Sequence, residues 1–191
     1  MKRLFILTVF LTTLGLSMPG FAAEEFRLTY STFFPPTHIQ SILAEEWSKE
    51  VEARTDGRVV IDFFPGNTLT NAKECYDGVV QGLSDVGFSV LAYSRGRFPT
   101  MAAVDLPLGY RSGVAATNVA NAVYEHFQPA EFDDVQVMYF HAHGPGLLHT
   151  SKVPVKSLED LEGLKFRATG NSGKLVEALG ATPVGMPMPE S

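Results

Sequence analysis

Residues Val59–Val90, VVIDFFPGNTLTNAKECYDGVVQGLSDVGFSV, decide the fold class. Val59 to Phe64 is a β-branched and aromatic run of the length and type of a buried strand. Pro65-Gly66-Asn67 turns the chain. Asn71 and Glu74 stand at capping-box spacing ahead of a helix carrying Cys75, Val79, Val80 and Leu83, and Asp85 to Val90 returns as a strand. Toward the N-terminus, Phe26 to Ser31 alternates as a short strand and Phe33-Phe34-Pro35-Pro36 makes a loop. From His38 to Arg54, residues Ile39, Ile42, Leu43, Trp47 and Val51 keep helical spacing until Asp56-Gly57 stops the helix. The order β-α-β-α-β predicts an α/β fold, a parallel sheet with helices on its faces.

Toward the C-terminus the pattern loosens through Arg95-Gly96-Arg97-Phe98-Pro99 and Leu106-Pro107-Leu108-Gly109. An alanine-rich helix is expected from about Gly113 to Phe127, with Val119, Ala120, Val123 and Phe127 inward, and a strand over Val135 to His141. Gly144-Pro145-Gly146 breaks that strand before Leu147 to Ser151 resumes an extended path. A short capped helix at Ser157, a strand from Leu164 to Arg167 and a helix from Ser172 to Leu179 follow, closed by Gly180. Pro183 to Ser191 carries three prolines and is expected to hold neither helix nor strand. The last β-α unit thus lacks a partner layer, with Leu164, Phe166, Val176 and Leu179 uncovered. The chain reads as a C-terminally truncated one whose last 40 residues are more loosely held than the first 140.

The first 22 residues read as an address. Lys2 and Arg3 precede the apolar run Leu4–Leu16, Pro19-Gly20 breaks it, and Gly20 and Ala22 sit at the −3 and −1 positions of a signal peptidase site. A run of 13 residues is too short to span a bilayer, which needs about 20. Cleavage after Ala22 would place the mature chain in the periplasm. Without Lys2 and Arg3, 13 basic residues face 21 acidic ones, a net charge of −8. Such a surface repels nucleic acid and anionic lipid. Cys75 is the single cysteine, so no internal disulfide can form, and its place on an apolar stripe predicts a buried thiol.

Several segments resemble the solute-binding proteins of tripartite ATP-independent periplasmic (TRAP) transporters. They are YSTFFPPTHIQSILAEEWSKEVEARTDGRVVIDFFPG (Tyr30–Gly66), GNTLTNAKECYDGVVQGLSDVGF (Gly66–Phe88), with its G-x-x-D-x-G, and VKSLEDLEGLKFRATGNSGKLVEALGATPVGMP (Val155–Pro187). The resemblance implies a periplasmic-binding-protein-like fold of two α/β lobes closing on a ligand. Residues 23–142 would be the first lobe, and 143–191 the crossover and beginning of the second. It implies capture of a small organic acid for paired integral membrane subunits driven by an ion gradient, with no chemistry and no cofactor. It also implies that Arg167, in the L-K-F-R strand, grips the ligand carboxylate. A guanidinium suits that role because its two parallel N–H donors match a carboxylate and its charge persists at any physiological pH. Ala168 to Asn171 lead into a helix N-terminus that also favours an anion, which makes Asn171 a candidate contact. Where many relatives carry another arginine before a Thr-Ser pair, this chain has Leu147, which favours an acid with an apolar body.

Other candidates come from position. Phe33, Phe34, His38, Phe88 and Tyr93 follow strand ends, where open α/β sheets bind ligands. Glu74 lies near that end but has a competing role as a helix-cap carboxylate. His143 is a pocket candidate at the lobe crossover. His141 and His143 would share one strand face as an H-x-H metal pair, the basis of a rival reading as a periplasmic metal-dependent hydrolase. No third ligand follows at metal spacing, and His149 lies beyond the Gly-Pro-Gly break. Ser89 is not in a nucleophile elbow, and no glycine run matches a phosphate loop or dinucleotide turn.

Overall fold

A computed structural model describes residues 25–191, so the expected leader and its cleavage site after Ala22 lie outside the described residues. Strand β1 (Phe26–Thr32) runs between β2 (Val59–Phe64) and β3 (Val86–Phe88), all parallel. Tyr30 lies opposite Phe63 on one side and Val86 on the other. The crossovers carry α1 (Ile39–Arg54) and α2 (Cys75–Val80), as the β-α-β-α-β order requires. His38 caps α1, its Nδ1 accepting the Gln40 N–H at 3.2 Å. The Asn71 Oδ1 accepts the Lys73 and Glu74 N–H groups before α2, while the Glu74 carboxylate takes the Asn71 side-chain amide instead of closing a capping box.

Two details of packing depart from the sequence pattern. Helix α1 turns Ser41, Ala44 and Ser48 inward and leaves Ile39, Ile42, Leu43 and Trp47 37–57% exposed. The small face allows close approach, and Ser41 donates its hydroxyl to the Phe34 carbonyl at 3.0 Å. Strand β3 is shorter than the expected Asp85–Val90, and just before it stands Asp85. Its Oδ2 accepts the Thr29 N–H at 2.7 Å and the Thr29 hydroxyl at 2.8 Å, beside β1.

Inside the sheet, Ser31, Thr70, Ser84 and Cys75 form a buried polar set. The Ser31 hydroxyl lies 2.9 Å from both the Ser84 and Thr70 hydroxyls, so these groups satisfy one another. The Cys75 Sγ is fully buried and 3.2 Å from the Phe88 carbonyl, as the apolar stripe predicted, and burial pushes its thiol pKa up.

Beyond β3, a turn at Leu91–Tyr93 leads to the short helix α3 (Pro99–Ala102) and to α4 (Gly113–Phe127). A second core gathers Tyr76, Phe98, Met101, Ala120 and Phe132, with Phe98 stacked on Phe132 at 4.9 Å. Val123 and Tyr124 pack against it, but Phe127 is 64% and Val119 37% exposed, contrary to the expected inward face. Gln128 adopts a left-handed conformation, φ 41°, that caps the helix at Phe127.

The expected strand at Val135–His141 is not one. Its backbone is held instead by side chains of α4: the Phe140 N–H donates to Asn121 Oδ1, Asn121 Nδ2 donates to the Phe140 carbonyl, and the Ala142 N–H donates to Thr117 Oγ1. These amide and hydroxyl groups replace the neighbouring strand that a ladder would need. Gly113 makes the approach possible, since a Cβ there would stand 2.9 Å from the Ala142 carbonyl oxygen.

A second, two-stranded parallel sheet pairs β4 (Lys165–Arg167) with β5 (Thr182–Val184) across α5 (Gly170–Ala178). Strand β5 falls where the prolines argued against any strand. The ladder uses the Thr182 N–H and the Val184 carbonyl, so the Pro183 nitrogen never has to donate. Val176, Leu161, Ala168 and Ala181 form a small buried core with Phe166 and Leu179 packed on it, so α5 does cover one face of this sheet. Among the described residues, no helix is long and apolar enough to cross a membrane.

The Thr29 hydrogen bonds hold the Asp85 carboxyl below the usual carboxylate range. A carboxyl more acidic folded than unfolded contributes stability that is present above the unfolded pKa and lost as pH falls through the folded one. Melting temperatures measured from pH 7 down to pH 3 should therefore fall less steeply for Asp85→Asn than for the unaltered chain, and parallel curves would refute the assignment.

Candidate functional site

The carboxyl ends of β1 and β3 deliver an aromatic cluster. Phe33 is almost fully buried and lies 4.2 Å from Phe34, 5.5 Å from Tyr93 and 6.2 Å from Phe88, centroid to centroid. His38 stacks on Phe34 at 4.1 Å with the rings 9° apart, and His141 lies 5.4 Å from Phe88. The five positions that sequence placed at strand ends, Phe33, Phe34, His38, Phe88 and Tyr93, are thus one contiguous patch. Glu74 is not part of it. Its carboxylate is held by Asn71 on the exposed turn before α2.

Tyr93 joins this patch to the second sheet. Arg167, at the end of β4, donates Nη2 to the Tyr93 hydroxyl at 3.1 Å and Nε to the Met186 carbonyl at 3.0 Å. The same hydroxyl accepts the Met188 N–H at 3.0 Å. Asn171, in the first turn of α5, donates to the Ala102 carbonyl at 3.0 Å. The Gly170 turn, φ 53°, packs so closely that a Cβ there would stand 3.0 Å from the Ala92 Cβ. Among the described residues Arg167 forms no ion pair, which removes the reading of it as an ordinary surface partner of an acid. Both its bonds are to neutral oxygens, so the guanidinium is oriented and its charge left uncompensated.

The histidines lie alongside. His143 approaches the Gly144 carbonyl with Nδ1 at 2.6 Å and faces Asp105. Burial pushes the Asp105 carboxyl up, and the nearby His143 pulls it partly back. Desolvation, then His143, lowers the pKa of His141. Among the described residues no group of three or more His, Cys, Asp or Glu side chains is placed to hold a metal ion. Asp105 and Arg95 were missed by sequence reasoning, since neither sits in a motif and only folding brings them beside α5. Leu147 stands 74% exposed. Two surface hollows of the described residues lie elsewhere, one at the end of α4 and one between α1 and β2, and neither includes Arg167 or the aromatic patch.

The Tyr93 hydroxyl is the hydrogen-bond hub between the two sheets. Tyr93→Phe should therefore leave the first sheet unchanged and speed amide hydrogen exchange over residues 165–188 by about 5- to 10-fold, the weight of a hydrogen bond or two. Exchange altered equally in both sheets, or in neither, would show that the hub is not there.

Residues 30–190 match the family described as bacterial extracellular solute-binding protein, family 7. The chain is 30% identical over 179 residues to the 2,3-diketo-L-gulonate-binding periplasmic protein of Escherichia coli, covering 91% of this chain and 54% of that protein. It is 40% identical to a crystal structure of a TRAP periplasmic solute-binding protein from Desulfovibrio salexigens, with a TM-score of 0.71, covering 86% of this chain and 51% of that one. A marine metagenome TRAP protein specific for aromatic acids, crystallised with 3-hydroxybenzoate, gives 31% identity and a TM-score of 0.82 over 87% of this chain and 53% of that one. The chain spans about half the length of the relatives it matches. All three are binding proteins, and nothing among them supports a metal-dependent hydrolase. The α/β architecture is that of the TRAP periplasmic binding proteins, and the chain belongs to family 7 of the bacterial extracellular solute-binding proteins.

Proposed function

We propose that the chain is part of a periplasmic substrate-binding subunit that captures a small organic acid and hands it to the paired membrane subunits of a TRAP transporter. Residues 23–142 act as the first lobe and 143–191 as the crossover and start of the second. The observation that carries this reading is the Arg167 guanidinium, braced by the Met186 carbonyl and the Tyr93 hydroxyl, with no acid to neutralise it among the described residues. It lies at the carboxyl end of β4, where open α/β sheets place ligands. The ligand carboxylate supplies the missing charge, and the partly exposed Phe88 and His38, backed by the buried Phe33, support the acid's body. Asn171 and His143 line the same seam, while Glu74 has a structural role in its turn. An aromatic patch fits an aromatic or otherwise apolar-bodied acid, in line with the 3-hydroxybenzoate bound by the metagenome relative.

Arg167→Ala, in the protein at full family length, should remove a charge-assisted bidentate contact and leave a desolvated carboxylate unpaired. Such losses run to about 2–5 kcal/mol, or roughly 30- to several-thousand-fold in Kd. Arg167→Lys should recover only part of this, since an ammonium lacks the planar fork. Calorimetric titration with unchanged Kd in both variants would sink the assignment.

The same reading requires export. N-terminal sequencing of material from the periplasmic fraction should begin at Ala23-Glu24-Glu25. An intact Met1 there would contradict cleavage after Ala22.

A further inference from the structure

Arg95 follows the Leu91–Tyr93 turn in the first unit, yet its guanidinium lies against the second. Nη2 sits 3.7 Å from where a Cβ of Gly173 would stand and 4.0 Å from where one of Gly185 would stand. Gly173 belongs to the first turn of α5, and Gly185 directly follows β5. The guanidinium of Arg95 thus lies against the backbone at Gly173 and Gly185, at the carboxyl end of the β4–β5 sheet. Gly185 is the neighbour of Met186, whose carbonyl holds Arg167, and Tyr93, two residues before Arg95, holds the other side of Arg167. One guanidinium from each unit thus borders the same few residues.

Neither charge is neutralised. Arg95, like Arg58, Arg111 and Arg167, forms no ion pair among the described residues, whereas Arg27, Arg54 and Arg97 each have a carboxylate partner. Asp105 is close to the Gly170 turn, but it interacts with His143 and Asn171 and pairs with neither arginine. Two exposed like charges directed at one end of a sheet repel each other only weakly in water, and an anion held between them is attracted to both. In a chain whose residues 23–191 carry a net charge of −8, an uncompensated pair of this kind is a local reversal of sign.

We propose that Arg95 is a second cationic ligand contact, which meets a further oxygen of the acid whose carboxylate Arg167 takes. The inference rests on the carboxylate-cleft reading above and adds a substrate class to it. The cleft favours acids that carry a second oxygen acceptor, a hydroxyl or a second carboxylate, over acids with a bare apolar body.

The test uses the protein at full family length with three acids that share one ring: benzoate, 3-hydroxybenzoate and isophthalate. A hydrogen bond to a charged donor corresponds to about 10- to 100-fold in affinity. The unaltered protein should bind at least one oxygen-bearing acid that much more tightly than benzoate. Arg95→Gln and Arg95→Ala should erase the preference while leaving benzoate within about 3-fold, and Arg167→Ala should weaken all three. Preference retained in both Arg95 variants, or all three acids weakened equally by them, overturns the role of Arg95 and leaves that of Arg167 standing. Failure of the unaltered protein to bind any of the three overturns both.

Discussion

The Tyr93 hydroxyl accepts one hydrogen bond from the Arg167 guanidinium and another from the Met188 backbone, and the relation between the two sheets rests on it. Tyr93 is itself fixed by contact with Phe33, which the end of β1 buries almost completely. The chain of cause therefore starts in the parallel pairing of β1 between β2 and β3. That pairing sets where β1 ends, the end of β1 sets the aromatic patch, and the patch sets the phenol that orients an arginine from the other sheet. A hydroxyl suits this position because it accepts from both donors without neutralising the guanidinium, leaving its charge for another group.

Much of this order was legible in the sequence because it rests on local rules. The strand Val59–Phe64, the helix ending at Asp56-Gly57 and the turn Pro65-Gly66-Asn67 all stand where residue type and spacing put them. The convergence of Phe33, His38, Phe88 and Tyr93 followed from the general placement of loops at strand carboxyl ends. What the pattern could not show was competition by side chains. Asn121 and Thr117 hold a segment that has the composition of a strand but no strand beside it. Pro183 hides β5 because its effect depends on which N–H groups the ladder uses. Arg95 and Asp105 were invisible for another reason: each becomes meaningful only through residues some 70 positions away that folding brings alongside.

The helix faces extend the same lesson. Periodicity places Ile39, Ile42, Leu43 and Trp47 on one stripe of α1, yet the helix meets the sheet through Ser41, Ala44 and Ser48. Periodicity identifies an apolar stripe but not what it faces. Part of the apolar surface of α1 is thus turned away from the sheet it packs on.

The lone cysteine has a consequence of another kind. Cys75 lies beneath the Phe88 carbonyl with Ser31 and Thr70 around it, closed off by the strands and by α2. Oxidants, metal ions and thiols of other molecules can reach the sulfur only when that whole layer separates. In an oxidising compartment its chemistry is therefore governed by the frequency of cooperative opening rather than by thiol acidity. The folded molecule is redox-silent, and the sulfur serves as a built-in clock that runs only while the sheet is open.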